Sequence, residues 1–159
     1  PECAFTLKFT YERELFEQPF EVRHVTEYIA ERIGELSFTK GGETFAFHDP
    51  CYLCRYLGVE QAPRTLLAAL SSKTPLELER HGTAAPCCGA GSLVDHGPHT
   101  RSAADERPVE AHRAGATSLV TACPKCTFLY AEVFSGTSWR RSSVEVKDLL
   151  TLAAERLLK

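Results

Sequence analysis

Six of the seven cysteines in this chain of 159 residues fall into three tight groups. Cys51 and Cys54 form the first, the adjacent pair Cys87–Cys88 the second, and Cys123 with Cys126 the third. Thirty-five residues lie between Cys51 and Cys87, and thirty-four between Cys88 and Cys123. Thiolate is the preferred ligand of zinc and of iron–sulfur clusters, so sulfur groups at such intervals read as ligands of an inorganic centre. A fold that meets this demand must bring distant stretches of chain to one point. A disulfide scaffold fits less well. Seven is an odd number, and neighbours such as Cys87 and Cys88 bond to each other only under strain. Thiols kept as ligands point to a reducing, cytoplasmic compartment. Burial of a single cysteine as a small apolar residue is common, but it does not account for three groups.

The segments around these groups predict the fold. Apolar and polar residues alternate along 43–47, then His48-Asp49-Pro50 leads to Cys51. Residues 75–79 alternate more weakly and are followed, after a loop, by Cys87 and Cys88. The run 117–121 is the strongest strand signal, with Cys123 directly behind it. Helices are expected over 62–70, with Pro63 near the start, over 108–114, closed by Gly115, and from 125 to about 133. Alternating strands and helices predict an α/β chain with a Rossmann-like parallel sheet and flanking helices. Ligands in open parallel sheets bind outside the carboxyl ends of the strands. All three cysteine groups follow expected strand ends, so fold logic alone would gather them along one edge.

The sequence also echoes itself. Pro1-Glu2-Cys3-Ala4-Phe5 resembles Pro124-Lys125-Cys126-Thr127-Phe128, and Glu21-Val22-Arg23 resembles Glu145-Val146-Lys147. The apolar positions that follow keep one helical register: Val22, Val25, Ile29 and Ile33 against Val146, Leu149, Ala153 and Leu157. If the echo is a repeat, residues 1–40 are the end of a preceding copy, 41–159 are the cysteine-rich domain, and Cys3 is the counterpart of Cys126. The start at Pro1 rather than Met is expected of a processed chain or a piece of a longer one.

Local chemistry favours anionic sulfur at two of the groups. In Cys123-Pro124-Lys125-Cys126, Pro124 suits a first helical turn, whose free N–H groups stabilise thiolate. In Cys87-Cys88-Gly89-Ala90-Gly91, Gly89 and Gly91 let the backbone pass close to a cluster and donate N–H groups to its sulfides. His48 and Arg55 are the nearest polar candidates for supporting the centre or touching a substrate. Two readings compete with a cluster. Cys51-x-x-Cys54 and Cys123-x-x-Cys126 could supply the four sulfurs of a structural zinc site, which leaves Cys87 and Cys88 unexplained. A metal-free thiol oxidoreductase would use Cys123 as nucleophile and Cys126 as resolving thiol.

Other function classes find little support. A net charge of −3 gives no electrostatic case for nucleic acid, and no apolar run is long enough for direct membrane insertion. Gly89-x-Gly91 lacks the third glycine of a dinucleotide fingerprint. Trp139-Arg140-Arg141 reads as an exposed loop and 12–17 as a solvated helix face. The Gly-, Ser- and Pro-rich stretch 89–108 reads as a loop, with His96 and His99 as surface residues.

Taken together, His48-Asp49-Pro50-Cys51, Ala62-Pro63-Arg64, Cys87-Cys88-Gly89-Ala90-Gly91 and Thr121-Ala122-Cys123-Pro124-Lys125-Cys126 carry a resemblance. Over roughly 45–134 the chain resembles the cysteine-rich CCG domain found in the B-type subunit of heterodisulfide reductase and in the iron–sulfur subunit of glycolate oxidase, a family that usually carries two such domains in tandem. The resemblance implies that Cys51, Cys87, Cys88, Cys123 and Cys126 ligate a [4Fe-4S]-type cluster, non-cubane where the domain acts directly on a disulfide; some relatives hold zinc. It implies an iron–sulfur oxidoreductase domain that reduces a disulfide or passes on electrons from an organic-acid dehydrogenase. Its expected partners are flavoprotein or ferredoxin-like subunits, and its expected place is the cytoplasm, free or attached to a membrane complex through those partners. The chain departs from the family pattern at Cys54, where a glycine is frequent.

Overall fold

The computed structural model describes residues 1–15, 20–92, 98–136 and 144–158. A helical stretch opens it: α1 (Glu2–Phe5), a π-helical turn (Thr6–Thr10) and α2 (Tyr11–Leu15), whose Glu12, Arg13 and Glu14 face solvent as expected. Next comes α3 (Val25–Glu31), started by a capping box in which the Glu27 carboxylate accepts the His24 N–H at 2.8 Å. The order then runs β1 (Phe45–His48), a π-helical turn (Tyr52–Tyr56), α4 (Gln61–Leu70), α5 (Pro98–Arg113), β2 (Ser118–Thr121), α6 (Pro124–Gly136), β3 (Glu145–Asp148) and α7 (Leu149–Arg156).

The three strands form a parallel sheet in the order β1-β2-β3, with His48, Thr121 and Asp148 in register at their carboxyl ends. Every residue of β1 and β2 is buried, which fits strands covered on both faces. Phe45, Phe47 and Val120 pack on one side with Leu66, Leu67 and Leu70 of α4 and Leu149, Leu152 and Ala153 of α7. Ala46 and Leu119 pack on the other with Ala104 and Ala111 of α5 and Cys126, Leu129 and Tyr130 of α6. The expected α/β architecture with a parallel sheet and flanking helices is present.

Three expectations need correction. Residues 75–79 do not form a strand. Only Leu76 bridges to Ala46, its N–H reaching the Phe45 carbonyl at 2.7 Å. Pro75 offers no donor there, and the next side chain, Glu77, is drawn off to Arg64. The Cys87–Cys88 pair therefore follows a loop rather than a strand end. The third strand is β3, in a segment whose spacing reads as the start of a helix. The strand is only four residues long, and Asp148 then caps α7 by accepting the Leu150 and Thr151 N–H groups at 3.1 and 3.0 Å. Finally, the stretch read as a loop up to 108 contains most of α5, which runs straight through Pro108. Ala104, Arg107, Pro108 and Ala111 are all buried, so one packed face holds the helix together despite the lost hydrogen bond. Gly115, at φ 87°, closes α5 as expected. His96 and the Trp139-Arg140-Arg141 spot lie outside the described residues, as does the side chain of His99.

Candidate functional site

The β1 chain leaves the sheet at His48 and turns at Asp49-Pro50, placing Cys51 at the head of a π-helical turn. The β2 chain leaves at Thr121 and places Cys123 just before Pro124 opens α6, with Cys126 in its first turn. Between them, the loop after Leu76 returns Cys87 and Cys88 to the same edge. Cys51, Cys87, Cys88, Cys123 and Cys126 line one small pocket together with Tyr52, Gly91 and Lys125. Cys87 Sγ lies 3.8 Å from Cys51 Sγ, and Cys88 Sγ lies 3.1 Å from Cys126 Sγ. Among the described residues, no group of three or more His, Cys, Asp or Glu side chains is arranged closely enough to hold a single metal ion.

Backbone geometry supports anionic sulfur. Gly89 adopts φ 94°, a region open chiefly to glycine, and the turn aims two amides backward. The Gly89 N–H donates to Cys87 Sγ and the Ala90 N–H to Cys88 Sγ, both at 3.4 Å. The contact with Cys51 pulls Cys87 well below the ordinary thiol range and pushes Cys51 well above it. Cys123 is brought down to about 6, first by the Cys126 thiol and then, against burial, by the N–H groups of Cys126 and Lys125 at the start of α6. The site has two sides: Cys88 and Cys126 are only 3% and 2% exposed, whereas Cys87 is open to solvent.

The other sequence candidates are placed elsewhere. Cys54 is buried but does not line the pocket. Its thiol is pushed up to about 12 by burial, by Asp49 and by a hydrogen bond to Glu60. Replacement by alanine is expected to leave the metal content of the centre unchanged, with a stability loss of about 1–2 kcal/mol from the small cavity, read by chemical denaturation. Cys3 is exposed on α1 and lies off the pocket wall, although its neighbour Glu2 reaches that wall and pairs with Lys125. Arg55 points to the loop before Cys87, donating to the Thr83 carbonyl at 2.8 Å and to that of Ala85. Gly91 lines the pocket, with open space where a side chain would sit.

His48 is fully buried and stacks edge-on against Tyr130, whose hydroxyl lies 3.3 Å from Nε2 and 3.4 Å from Nδ1. Burial, then the nearby Arg107 charge, drive its pKa down to about 3, so the ring is neutral. It is sealed from solvent and does not line the cysteine pocket.

Sequence reasoning missed the clamp that holds these loops. Arg64 of α4 grips Asp49 in a fork, Nη1 to Oδ1 at 2.7 Å and Nη2 to Oδ2 at 2.9 Å, while its Nε reaches Glu77 at 2.6 Å. The Gly82 N–H donates to the same Asp49 carboxylate at 2.8 Å. Burial alone would raise the Asp49 carboxyl, but these hydrogen bonds win and hold it below its ordinary range. One buried carboxylate therefore ties the Cys51 loop to α4 and to the approach to Cys87. Both partners stand in the motifs Asp49-Pro50-Cys51 and Pro63-Arg64; their pairing was the signal available.

The family model described as CCG, a cysteine-rich domain, matches residues 45–129. The chain is 34% identical, over 98% of its length, to the D-type subunit of the dihydromethanophenazine:CoB–CoM heterodisulfide reductase of Methanosarcina barkeri, and spans 39% of that protein. It is 31% identical, over 78% of its length, to the B-type subunit of the fumarate reductase (CoM/CoB) of Methanothermobacter marburgensis, spanning 25% of it. It is 33% identical, over 87% of its length, to the "Probable iron-sulfur-binding oxidoreductase FadF" of Bacillus subtilis, spanning 20% of it. The chain thus spans well under half the length of these relatives. Among the described residues, no helix is long and apolar enough to cross a membrane.

Proposed function

The chain belongs to the CCG cysteine-rich domain family, and from that premise we propose that it is the iron–sulfur redox part of a larger oxidoreductase, with Cys51, Cys87, Cys88, Cys123 and Cys126 holding a [4Fe-4S]-type cluster. The observation that carries this reading is the meeting of five sulfurs from three separate loops at one pocket. The donor set fits the group. It is all soft sulfur, two members are held toward thiolate, and backbone N–H groups face Cys87 and Cys88. When bound, such a cluster supplies one-electron redox chemistry. The protein's part is to fix the thiolates, to set the field around them and to exclude water from the Cys88–Cys126 side.

The exposed Cys87 edge is the side that a substrate or an electron partner would approach. That edge suits two roles: contact with a disulfide, the kind of substrate named for the heterodisulfide reductase relative, or passage of electrons between partner subunits of flavoprotein or ferredoxin-like type. The same reading divides the chain near residue 40, with the first part the end of a preceding repeat, and puts it in the cytoplasm, free or held at a membrane complex by its partners. The alternative zinc site would need Cys54, which is buried away from the pocket that five other cysteines line.

Metal analysis of the anaerobically purified full-length protein tests the proposal. Iron with acid-labile sulfide and broad visible absorbance, all lost together on treatment with a strong chelator, is the expected result. One zinc per chain and a colourless protein would overturn it.

A further inference from the structure

Among the described residues, Arg107 heads the largest fully buried side chains, at 0% exposure. Its Nη1 pairs with Glu110 Oε2 at 2.8 Å, but Nε and Nη2 are buried with no hydrogen-bond partner among the described residues. A buried guanidinium half-paired in this way is costly, and such a group calls for a reason. Its position supplies one. Arg107 stands between Ala104 and Ala111 on one face of α5, three residues after the first and four before the second. Both alanines pack in the same cluster as Cys88, Cys126 and Tyr130. The Arg107 charge acts on His48 and on Tyr130, and Tyr130 feels Cys126, Cys88 and Cys87 in turn. Thr121 Oγ1, at the end of β2 in register with His48, is likewise buried without a partner among the described residues.

We infer that Arg107 is a fixed buried countercharge of the cysteine centre, which favours its reduced state and raises its reduction potential, with Glu110 trimming the effect. The inference rests on the cluster reading. A thiolate-ligated cluster is anionic and gains one more negative charge on reduction. A desolvated cation held behind it therefore stabilises the reduced form more than the oxidised one. The guanidinium carries one delocalised charge, which Glu110 offsets only in part from the Nη1 side while the Nε–Nη2 edge has no second carboxylate to complete a fork.

Redox titration of the anaerobically purified full-length protein, followed by electron paramagnetic resonance, tests this. The relevant signal is the one that disappears in Cys88→Ser. Arg107→Met, close in shape and uncharged, is expected to keep its iron and to lower the reduced-to-oxidised ratio at a fixed ambient potential at least tenfold, about 59 mV for a one-electron couple. Arg107→Lys should restore most of the ratio. Glu110→Gln, which removes a negative charge from the same layer, should shift the ratio the other way, at least about twofold. An unchanged potential in an iron-loaded Arg107→Met protein would overturn the inference while leaving the cluster intact. If Arg107→Met loses its iron, Glu110→Gln decides, and a downward or absent shift overturns the inference. Absence of iron from the unaltered protein would instead sink the cluster reading, and the inference with it.

Discussion

Cys88→Ser is expected to abolish the centre: no bound iron above background and no visible absorbance, in a chain that still folds. Cys88 is 3% exposed, with its sulfur 3.1 Å from Cys126 and an amide from Ala90 behind it. It is the sulfur through which the central loop reaches the buried half of the site. A serine hydroxyl is hard, weakly acidic and shorter, so it replaces neither the softness nor the reach of a thiolate. The fold should survive because the substitution changes one atom within a packed cluster that draws on α5, α6 and the sheet. Far-ultraviolet circular dichroism beside iron analysis separates the two effects. Retention of the iron in Cys88→Ser, with its loss in a Cys54 variant, would show that the ligand assignment is wrong.

Asp49→Ala should produce the largest loss of stability of any single change at the site. Asp49 is the hub of a part-buried network, its side chain 1% exposed and that of Arg64 17%. Breaking a buried pair by removing one partner costs about 3–5 kcal/mol, because it strands the other charge. Arg64 keeps Glu77, so the lower end of that range applies. Gly82 loses its acceptor, and with it goes the tie between the Cys51 loop and the approach to Cys87. Urea denaturation of Asp49→Ala, Arg64→Ala and the double variant measures both the loss and the coupling. Single losses below about 1 kcal/mol, the level of an exposed pair, would mean that the fork is not a clamp.

How far the fold and site could be read from sequence depended on what each residue's chemistry demands. Cys51 and Cys123 could be placed because β1 and β2 are buried strands with strong signals, and a parallel sheet gathers the loops that leave its carboxyl edge. The edge shared by all three sulfur groups comes from that logic, although Cys87 and Cys88 reach it by a loop. β3 was hidden because Val146 and Leu149 fit a helical spacing as well as a strand end, and only sheet pairing decides between them. Pro108 misled in the opposite direction, since a proline reads as a helix start, while burial of Ala104 and Ala111 carries α5 through it. Arg107 could not be singled out at all. It sits among Asp105, Glu106, Glu110 and Arg113 in a polar helix, and packing alone selects which of these charges is inside. Gly89 and Gly91 both read as glycines that let the backbone pass close to sulfur and offer their N–H groups; Gly89 does so at φ 94°, but the second amide at a cysteine is that of Ala90 rather than Gly91.

The central claim is that thiolates from three loops share one iron centre. The most direct test is anomalous diffraction from crystals of the anaerobically prepared full-length protein, collected on both sides of the iron and zinc absorption edges. The account predicts iron density in the pocket within bonding distance of Cys51, Cys87, Cys88, Cys123 and Cys126, and none at Cys54. Zinc in that pocket, or iron bound away from Cys88 and Cys123, would contradict it.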